Sequence, residues 1–391
     1  MKILLINTVF VEGSTGRICK DLYEEYEKKG YECCIAYGRG TVEPKYNSYK
    51  IGNKLSIYFH VFQTRFLDNH GFGSKLATKR LVNFIKSYKP DVIHLHNLHG
   101  YYLNINILTE ALKEYRGNIV WTFHDQWPFS KGAAYIETEE TNLLTKDYPL
   151  SYISFRDNLG RKAQAFKNLE NITLVTPSEW LKNSIENSFF DYPVKVINNG
   201  IDLSLFYPKE MNTFREKYNL SDKKIILGCS SVWDRRKGLK YFEELSEIIS
   251  DDYQIVIIGQ VKKKKKNNIL YINKTNSIEE LVSWYSIATV FLNTTLQDNF
   301  PTVNIEALAC GTPVVTFDTG GSAEIIDEFS GIVIREKNKE SIYKAIKDSE
   351  KLDRKNCVER SKKFGKSKSF SEYLDLIDSF YYNKKENSEE E

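Results

Sequence analysis

Twelve short apolar runs, each separated from the next by helical or turn-rich sequence, set the tightest limit on how this chain can fold. The first six are Lys2–Asn7, Glu32–Tyr37, Asp91–His96, Asn118–His124, Ile172–Thr176 and Val194–Ile197. The second six are Lys224–Cys229, Gln254–Ile258, Ile269–Ile272, Thr289–Asn293, Pro313–Phe317 and Gly331–Ile334. Runs this short, rich in Ile, Val and Leu and alternating with amphipathic segments, read as strands buried on both faces of parallel sheets. The turn-rich stretch Asn198-Asn-Gly-Ile-Asp202 divides the two series. Two successive α/β domains are therefore expected, a count that 391 residues support. In such sheets ligands lie at the carboxyl ends of the strands, so a cleft between the two domains is the expected site.

Composition excludes several classes. The net charge is only +3 with 27% charged residues, which gives no strong field for nucleic acid. The lysine run Lys262–Lys266 has no interleaved aromatics and reads as a solvated loop between elements. No segment reaches the roughly 20 apolar residues of a membrane span, and Lys2 leads straight into a strand rather than a signal peptide. The six cysteines, at 19, 33, 34, 229, 310 and 357, show no metal spacing and suit reduced thiols in a cytoplasmic protein.

The most chemical segment is Asp298-Asn-Phe-Pro-Thr-Val-Asn-Ile-Glu306-Ala-Leu-Ala-Cys-Gly-Thr-Pro-Val-Val315. Pro301 and Thr302 suit the first turn of a helix, and Gly311 suits its C-terminal cap. The first turn that opens at Pro301 offers the free amides of Thr302 and Val303 as a place for a phosphate, since unpaired N–H groups and the helix dipole both favour an anion. Asp298 and Glu306 suit hydroxyls. A nucleotide sugar supplies all of these groups: a ribose diol for Glu306, a diphosphate for the amides and sugar hydroxyls for Asp298.

The segment resembles the donor-binding motif of glycosyltransferase family 4, although Asp298-Asn-Phe-Pro stands where that family usually has a glutamate followed by Gly-Phe-Gly. The resemblance extends over residues 1 to about 382 and to Asp91-Val-Ile-His-Leu-His-Asn97 and Val175-Thr-Pro-Ser-Glu-Trp180, which look like members that build capsule or exopolysaccharide units. It implies a GT-B architecture of two Rossmann-like, doubly wound domains facing a central cleft. The domains are expected at residues 1–198 and 199–366, with a helix over 367–382 that crosses back to the first domain and a disordered tail over 383–391. The implied activity is retaining transfer of a hexosyl group from a UDP- or GDP-sugar to a saccharide or lipid-linked acceptor, with no cofactor and no metal.

Three further segments join this picture. Val11-Glu-Gly-Ser-Thr-Gly-Arg17 follows a strand and opens a helix; Gly13 and Gly16 allow close approach, and Ser14 or Thr15 is expected to cap the helix. The loop is neither a nucleotide-triphosphate loop nor a dinucleotide fingerprint, and in the family it faces donor phosphate and acceptor. His124, in Val120-Trp-Thr-Phe-His-Asp125, matches the family histidine at a strand tip, where a neutral imidazole can bond a sugar hydroxyl. Ser230-Ser-Val-Trp-Asp-Arg-Arg-Lys-Gly238 places three cations where they can neutralise a leaving diphosphate. Lys237 matches the family lysine; the family arginine falls at Ser231, and Arg235 or Arg236 replaces its charge.

No Asp-x-Asp pair occurs in the chain, which argues for metal-independent chemistry. The amphipathic stretch Lys54–His70, with Leu55, Tyr58, Phe59, Phe62, Phe66 and Leu67, reads as a core helix, and a peripheral membrane contact is the competing reading. Lys131–Leu150 lacks the cysteines that many similar family members carry there. Four of the six histidines lie at 94, 96, 99 and 124, so a metal-dependent hydrolase built on His94, His96 and His99 is one rival. A nucleotide-sugar epimerase and a non-catalytic sugar-binding protein are the others.

Overall fold

The computed structural model describes residues 1–136, 155–210, 212–262, 266 and 268–389. The chain divides into two compact units, one of Met1–Ile197 with Phe370–Glu391 and one of Asn198–Ser369. The first unit contains β1 (Lys2–Asn7), α1 (Gly13–Lys28), β2 (Glu32–Tyr37), β3 (Ser48–Lys50), α2 (Lys54–Leu67), α3 (Lys75–Tyr88) and β4 (Val92–Leu95). It continues with α4 (Ile105–Lys113), β5 (Asn118–Thr122), α5 (Asn158–Phe166), β6 (Ile172–Thr176), α6 (Glu179–Glu186) and β7 (Val194–Val196). The second unit holds α7 (Asn212–Lys217), β8 (Lys224–Trp233), α8 (Leu239–Leu245), β9 (Tyr253–Val261), β10 (Ile269–Ile272) and α9 (Ile278–Ile287). After these come β11 (Val290–Asn293), α10 (Thr302–Ala309), β12 (Val314–Phe317), α11 (Ser322–Ile325), β13 (Gly331–Ile334), α12 (Lys339–Ser349) and α13 (Arg354–Ser361). A last helix, α14 (Lys366–Glu389), begins in the second unit and ends in the first.

Each of the twelve apolar runs contains a strand. The first sheet has the order β3-β2-β1-β4-β5-β6-β7 and the second β10-β9-β8-β11-β12-β13, with every pairing parallel. Because both faces are covered, alternate residues of one strand enter different cores: Leu4 and Ile6 of β1 join one cluster, Ile3 and Leu5 another. The second sheet is divided in the same way, with Ile225 and Leu227 of β8 on one face and Ile226 on the other. Strand order reverses between β1 and β4 and between β8 and β11, and loops leaving those strands are the natural ligand sites of each sheet.

Three local expectations change. Helix α1 begins at Gly13 with Glu12 at its N-cap and no side-chain capping bond, so Ser14 and Thr15 sit inside the first turn instead of capping it. Helix α2 is not a core helix; it buries only His60 and Thr64 and turns its large apolar side chains outward. Helix α14 runs on to Glu389, through most of the polar tail expected to be disordered; extending an existing helix needs no new nucleus, and Lys and Glu favour helix. Residues 137–154, which include most of the cysteine-free stretch, and 263–265 of the lysine run lie outside the described residues.

Candidate active site

The second unit assembles a carboxylate between two cations at its strand-order reversal. Strand β8 continues past Cys229 through an irregularity before Val232, ending at Trp233, whose indole Nε1 donates to Ile258 O at 2.9 Å. The loop that follows is folded on itself: Lys237 N donates to Asp234 Oδ1 at 2.9 Å, and Gly238 N donates to Arg235 O at 3.2 Å. Gly238 has φ of +73°, and a Cβ there would lie 2.2 Å from Thr294 O, so glycine is required where this loop meets the loop after β11. Thr294 Oγ1 donates across the same seam to the carbonyls of Lys237 and Gly238.

Asp298 lies in that second loop. Lys237 Nζ donates to its Oδ2 at 2.6 Å, and Arg236 Nη1 stands 3.7 Å from the same oxygen while donating to Gln297 O at 2.7 Å. Burial pushes the Asp298 carboxyl up, but Lys237 and Arg236 outweigh it and hold the group below the ordinary aspartate range. Its backbone is fixed from the other side by Gly321 N, which donates to Asp298 O at 3.2 Å. A Cβ on Gly320, at φ +55°, would lie 1.7 Å from that oxygen. Of the two arginines left open by the sequence, Arg236 stands beside Asp298, whereas Arg235 is exposed.

Helix α10 starts at Thr302 with Pro301 at the N-cap, and Gly311, at φ +76°, follows its end. The amides of Thr302 and Val303 are in the first turn, where intrahelical acceptors are lacking. Asn304 is fully buried and its Oδ1 accepts from Asn293 Nδ2 at 2.8 Å, which ties the helix start to the end of β11. Glu306 is half-buried, and its Oε2 accepts from the Tyr285 hydroxyl at 2.9 Å. Tyr285 and the Gly320-Gly321 turn are absent from the sequence reading. The paired glycines after a strand signalled a close backbone approach; Tyr285, in a helix distant in sequence, carried no signal.

The first unit places His124 just after β5, half-buried, with Nε2 3.0 Å from His96 Nδ1 and the two rings stacked at 5.3 Å. Burial is the main reason that the His124 imidazole is pushed down, to about 4; His99 adds to this and Asp125 opposes it. Asp125 accepts from His99 Nε2 at 2.8 Å and from Trp127 N at 2.9 Å. Lys162, wholly buried, donates to Trp127 O and Ser130 O at 2.5 and 3.1 Å and so pins the loop after Asp125. His94 is bonded on both nitrogens, by Tyr26 and by Thr122. The hydrolase reading needs His94, His96 and His99 to converge, and instead each is committed to a different partner. Among the described residues no group of three or more His, Cys, Asp or Glu side chains could hold a metal.

At the other reversal point, the loop after β1 is tightly bent. Val11 takes φ of +75°, a strained value for a β-branched residue, while its N–H donates to Gly16 O at 3.0 Å. Gly16 is buried, and a Cβ there would lie 3.2 Å from Val11 and Val9 atoms; Gly13, by contrast, has open space beside it.

Comparison with known proteins agrees with this architecture. Residues 15–205 match the model described as Glycosyltransferase Family 4, and residues 210–367 match Glycosyl transferases group 1. A colanic acid biosynthesis glycosyl transferase of Escherichia coli (strain K12), WcaC by name, is 20% identical over 86% of this chain and 88% of its own. An N,N'-diacetylbacillosaminyl-diphospho-undecaprenol alpha-1,3-N-acetylgalactosaminyltransferase of Campylobacter jejuni is 24% identical over 46% of this chain and 52% of its own. The crystal structure of Anabaena HepE in complex with UDP and glucose superposes with a TM-score of 0.69 at 13% identity, covering 97% of this chain and 100% of that one. The chain thus carries a glycosyltransferase family 4 domain followed by a glycosyl transferases group 1 domain, and it has the two-domain GT-B fold. Its activity is that of a glycosyltransferase in polysaccharide or glycan biosynthesis.

Proposed function

We propose that the protein transfers a hexosyl group from a nucleotide-diphosphate sugar to a hydroxyl of a saccharide or lipid-linked saccharide, with retention of anomeric configuration and without a metal. The observation that carries this reading is the Lys237–Asp298–Arg236 cluster, built on the two loops that leave β8 and β11. Two cations and the amides of Thr302 and Val303 suit the diphosphate, while Asp298 and Glu306 suit sugar and ribose hydroxyls. When the donor binds, Lys237 turns part of its charge from Asp298 to the phosphate, and Asp298 is freed to accept from the sugar.

In the reaction the bond from the anomeric carbon to the β-phosphate oxygen breaks as a bond to the acceptor oxygen forms on the same face. The acceptor proton passes to the departing phosphate oxygen, so no enzyme nucleophile is needed. His124 stays neutral at physiological pH and is assigned a hydrogen bond to a sugar hydroxyl at the reacting centre. Gly13 and Gly16, in the loop after β1, are assigned to donor phosphate and acceptor, as the family resemblance implies. HepE, of similar fold, binds UDP, which favours UDP within the UDP- or GDP-sugar class. The likeness to WcaC favours surface or capsule polysaccharide, and the Campylobacter relative favours a lipid-linked acceptor. Action in the cytoplasm, at the inner face of the membrane, fits the six free thiols.

A panel of UDP-, GDP-, ADP- and TDP-sugars tests the reading, since a ligand bound only by the folded state raises the melting temperature. A chelator-insensitive rise with one nucleotide series, followed by proton NMR showing a product of the donor's own anomeric configuration, is expected. An isomerised free nucleotide sugar, or a rise abolished by chelator, would overturn it.

A further inference from the structure

We propose that the outward face of α2 docks the protein on an anionic phospholipid bilayer surface. The inference deepens the lipid-linked acceptor reading and rests on it only for the acceptor; the surface itself stands on geometry and charge. Helix α2 is inverted relative to an ordinary amphipathic helix of a globular protein. The two residues it buries, His60 and Thr64, are polar: the His60 ring accepts from Gly71 N and Gly73 N through Nε2 and pairs with Ser74 through Nδ1. Its outward residues are Leu55, Tyr58, Phe59, Phe62, Phe66 and Leu67, exposed by 43% to 77%. Phe59, Phe62 and Phe66 form a continuous row, with ring centroids 6.4 and 4.9 Å apart.

Two further exposed apolar residues lie on segments next to α2 in the chain or bonded to its end. Leu76, 73% exposed, stands in the first turn of α3. Phe155, 58% exposed, is tied to the end of α2 because its N–H and that of Arg156 donate to Asp68 Oδ2. Aromatic rings with apolar bodies, backed by cations, match the boundary between lipid headgroups and acyl chains.

Charge selects the occupant. Between Pro44 and Pro90 the chain has nine basic residues (Lys45, Lys50, Lys54, Arg65, Lys75, Lys79, Arg80, Lys86, Lys89) and one acidic residue, Asp68. That single acid is buried and consumed internally, accepting from two backbone amides and from Asn158 Nδ2. The segment is thus +8 where the whole chain is +3. Among the described residues Lys54, Lys75, Lys79 and Arg80 are exposed and make no ion pair. A second copy of the chain would bring like charge to this face, whereas anionic headgroups neutralise it while acyl chains receive the aromatic row.

The test is sedimentation of the full chain with vesicles of phosphatidylcholine alone or mixed with phosphatidylglycerol. Binding to mixed vesicles is expected, with little to neutral ones. It should fall more than about tenfold in Phe62→Glu/Phe66→Glu and in Lys79→Gln/Arg80→Gln, each basic residue near the surface contributing about fivefold. Melting temperature and donor-nucleotide binding should be unchanged in both variants. Because the second pair lies outside the aromatic row, it keeps the test valid if the first variant unfolds. Absence of vesicle binding, equal binding by the variants, equal binding to neutral vesicles, or a wild-type dimer dissociated by Phe62→Glu would each overturn the proposal. Failure of donor binding in a protein that still binds vesicles would instead overturn the transferase reading.

Discussion

All six histidines lie in the unit of Met1–Ile197, and none in the unit of Asn198–Ser369. His60, His70, His94, His96 and His124 are all held below the ordinary imidazole range, chiefly by burial. The second unit instead keeps its charged groups ionised and paired, with Asp298, Asp202, Glu280 and Glu350 all held below their ordinary carboxyl values. Two sheets of similar plan therefore differ in their electrostatics: the first unit gathers neutral imidazoles around a buried carboxylate, Asp125, which His99 helps hold below its ordinary range, and the second concentrates charge at a loop seam. Neutral imidazoles suit hydrogen bonding to hydroxyls, and fixed ion pairs suit phosphate.

Acid should separate the two units, and this is the largest effect expected. An imidazole whose folded value lies below its unfolded value of about 6.5 contributes stability that is full above pH 6.5 and is lost as pH falls toward the folded value, about 4 for His60 and His124. By pH 5 each such group should have cost on the order of 2 kcal/mol. The depressed carboxylates of the second unit lose their contribution only as pH falls below the ordinary carboxyl range. Hydrogen exchange at pH 7 and pH 5 should show protection lost in peptides of β4 and β5 and kept in β8 and β11. Equal loss in both would remove the contrast.

Lys237→Ala probes the second unit's side of the comparison. Removing the cation leaves Asp298 half-screened by Arg236 and takes a charge from the leaving group, so kcat should fall about 10² to 10³-fold. Arg235→Ala, at an exposed position, should cost far less. If the two arginines prove equivalent when each is replaced by alanine, the geometry around Asp298 has been misassigned.

How much of this contrast was legible beforehand depended on the range of the forces involved. Strands of buried Ile, Val and Leu announce themselves within six residues, so β1 and β2 match their runs residue for residue. Helix α10 was equally legible, since Pro301 and Gly311 fix its ends locally. β3, three polar residues long at a sheet edge, has no apolar signature and went unseen. The periodicity of α2 was visible, but periodicity gives a face and not a direction; only His60, bonded inward to Gly71 and Gly73, decides which side is buried. The Asp298 site was half legible. Its residue types were readable, while the choice of Arg236 over Arg235 depends on which side chain the Gly238 turn aims inward, a property of two loops meeting.

A smaller effect is expected at Glu306. Its carboxylate already accepts from Tyr285, so Glu306→Gln keeps the shape and one acceptor but loses charge-assisted bonding to a diol. Donor affinity by calorimetry should drop about tenfold with kcat nearly unchanged. A fall in kcat at constant affinity would move Glu306 from binding to chemistry.

The smallest effect concerns which nitrogen of His124 carries a proton. Among the described residues, His96 Nε2 is buried with no hydrogen-bond partner. A lone pair left there costs less than an orphaned N–H, because a stranded donor forfeits the stronger bond to water. The His96 proton therefore belongs on Nδ1, which donates to His124 Nε2 at 3.0 Å and leaves the His124 proton on Nδ1. His96→Phe removes that donor while keeping a ring beside His94 and His124. Loss of one neutral hydrogen bond should lower kcat about fivefold and leave donor KM unchanged. It should also raise the pH at which activity falls in acid, since Nε2, no longer bonded, becomes free to protonate. Chemical shifts of the imidazole nitrogens in the wild-type protein check the same assignment directly, and a His124 proton on Nε2 would reverse the direction of the bond.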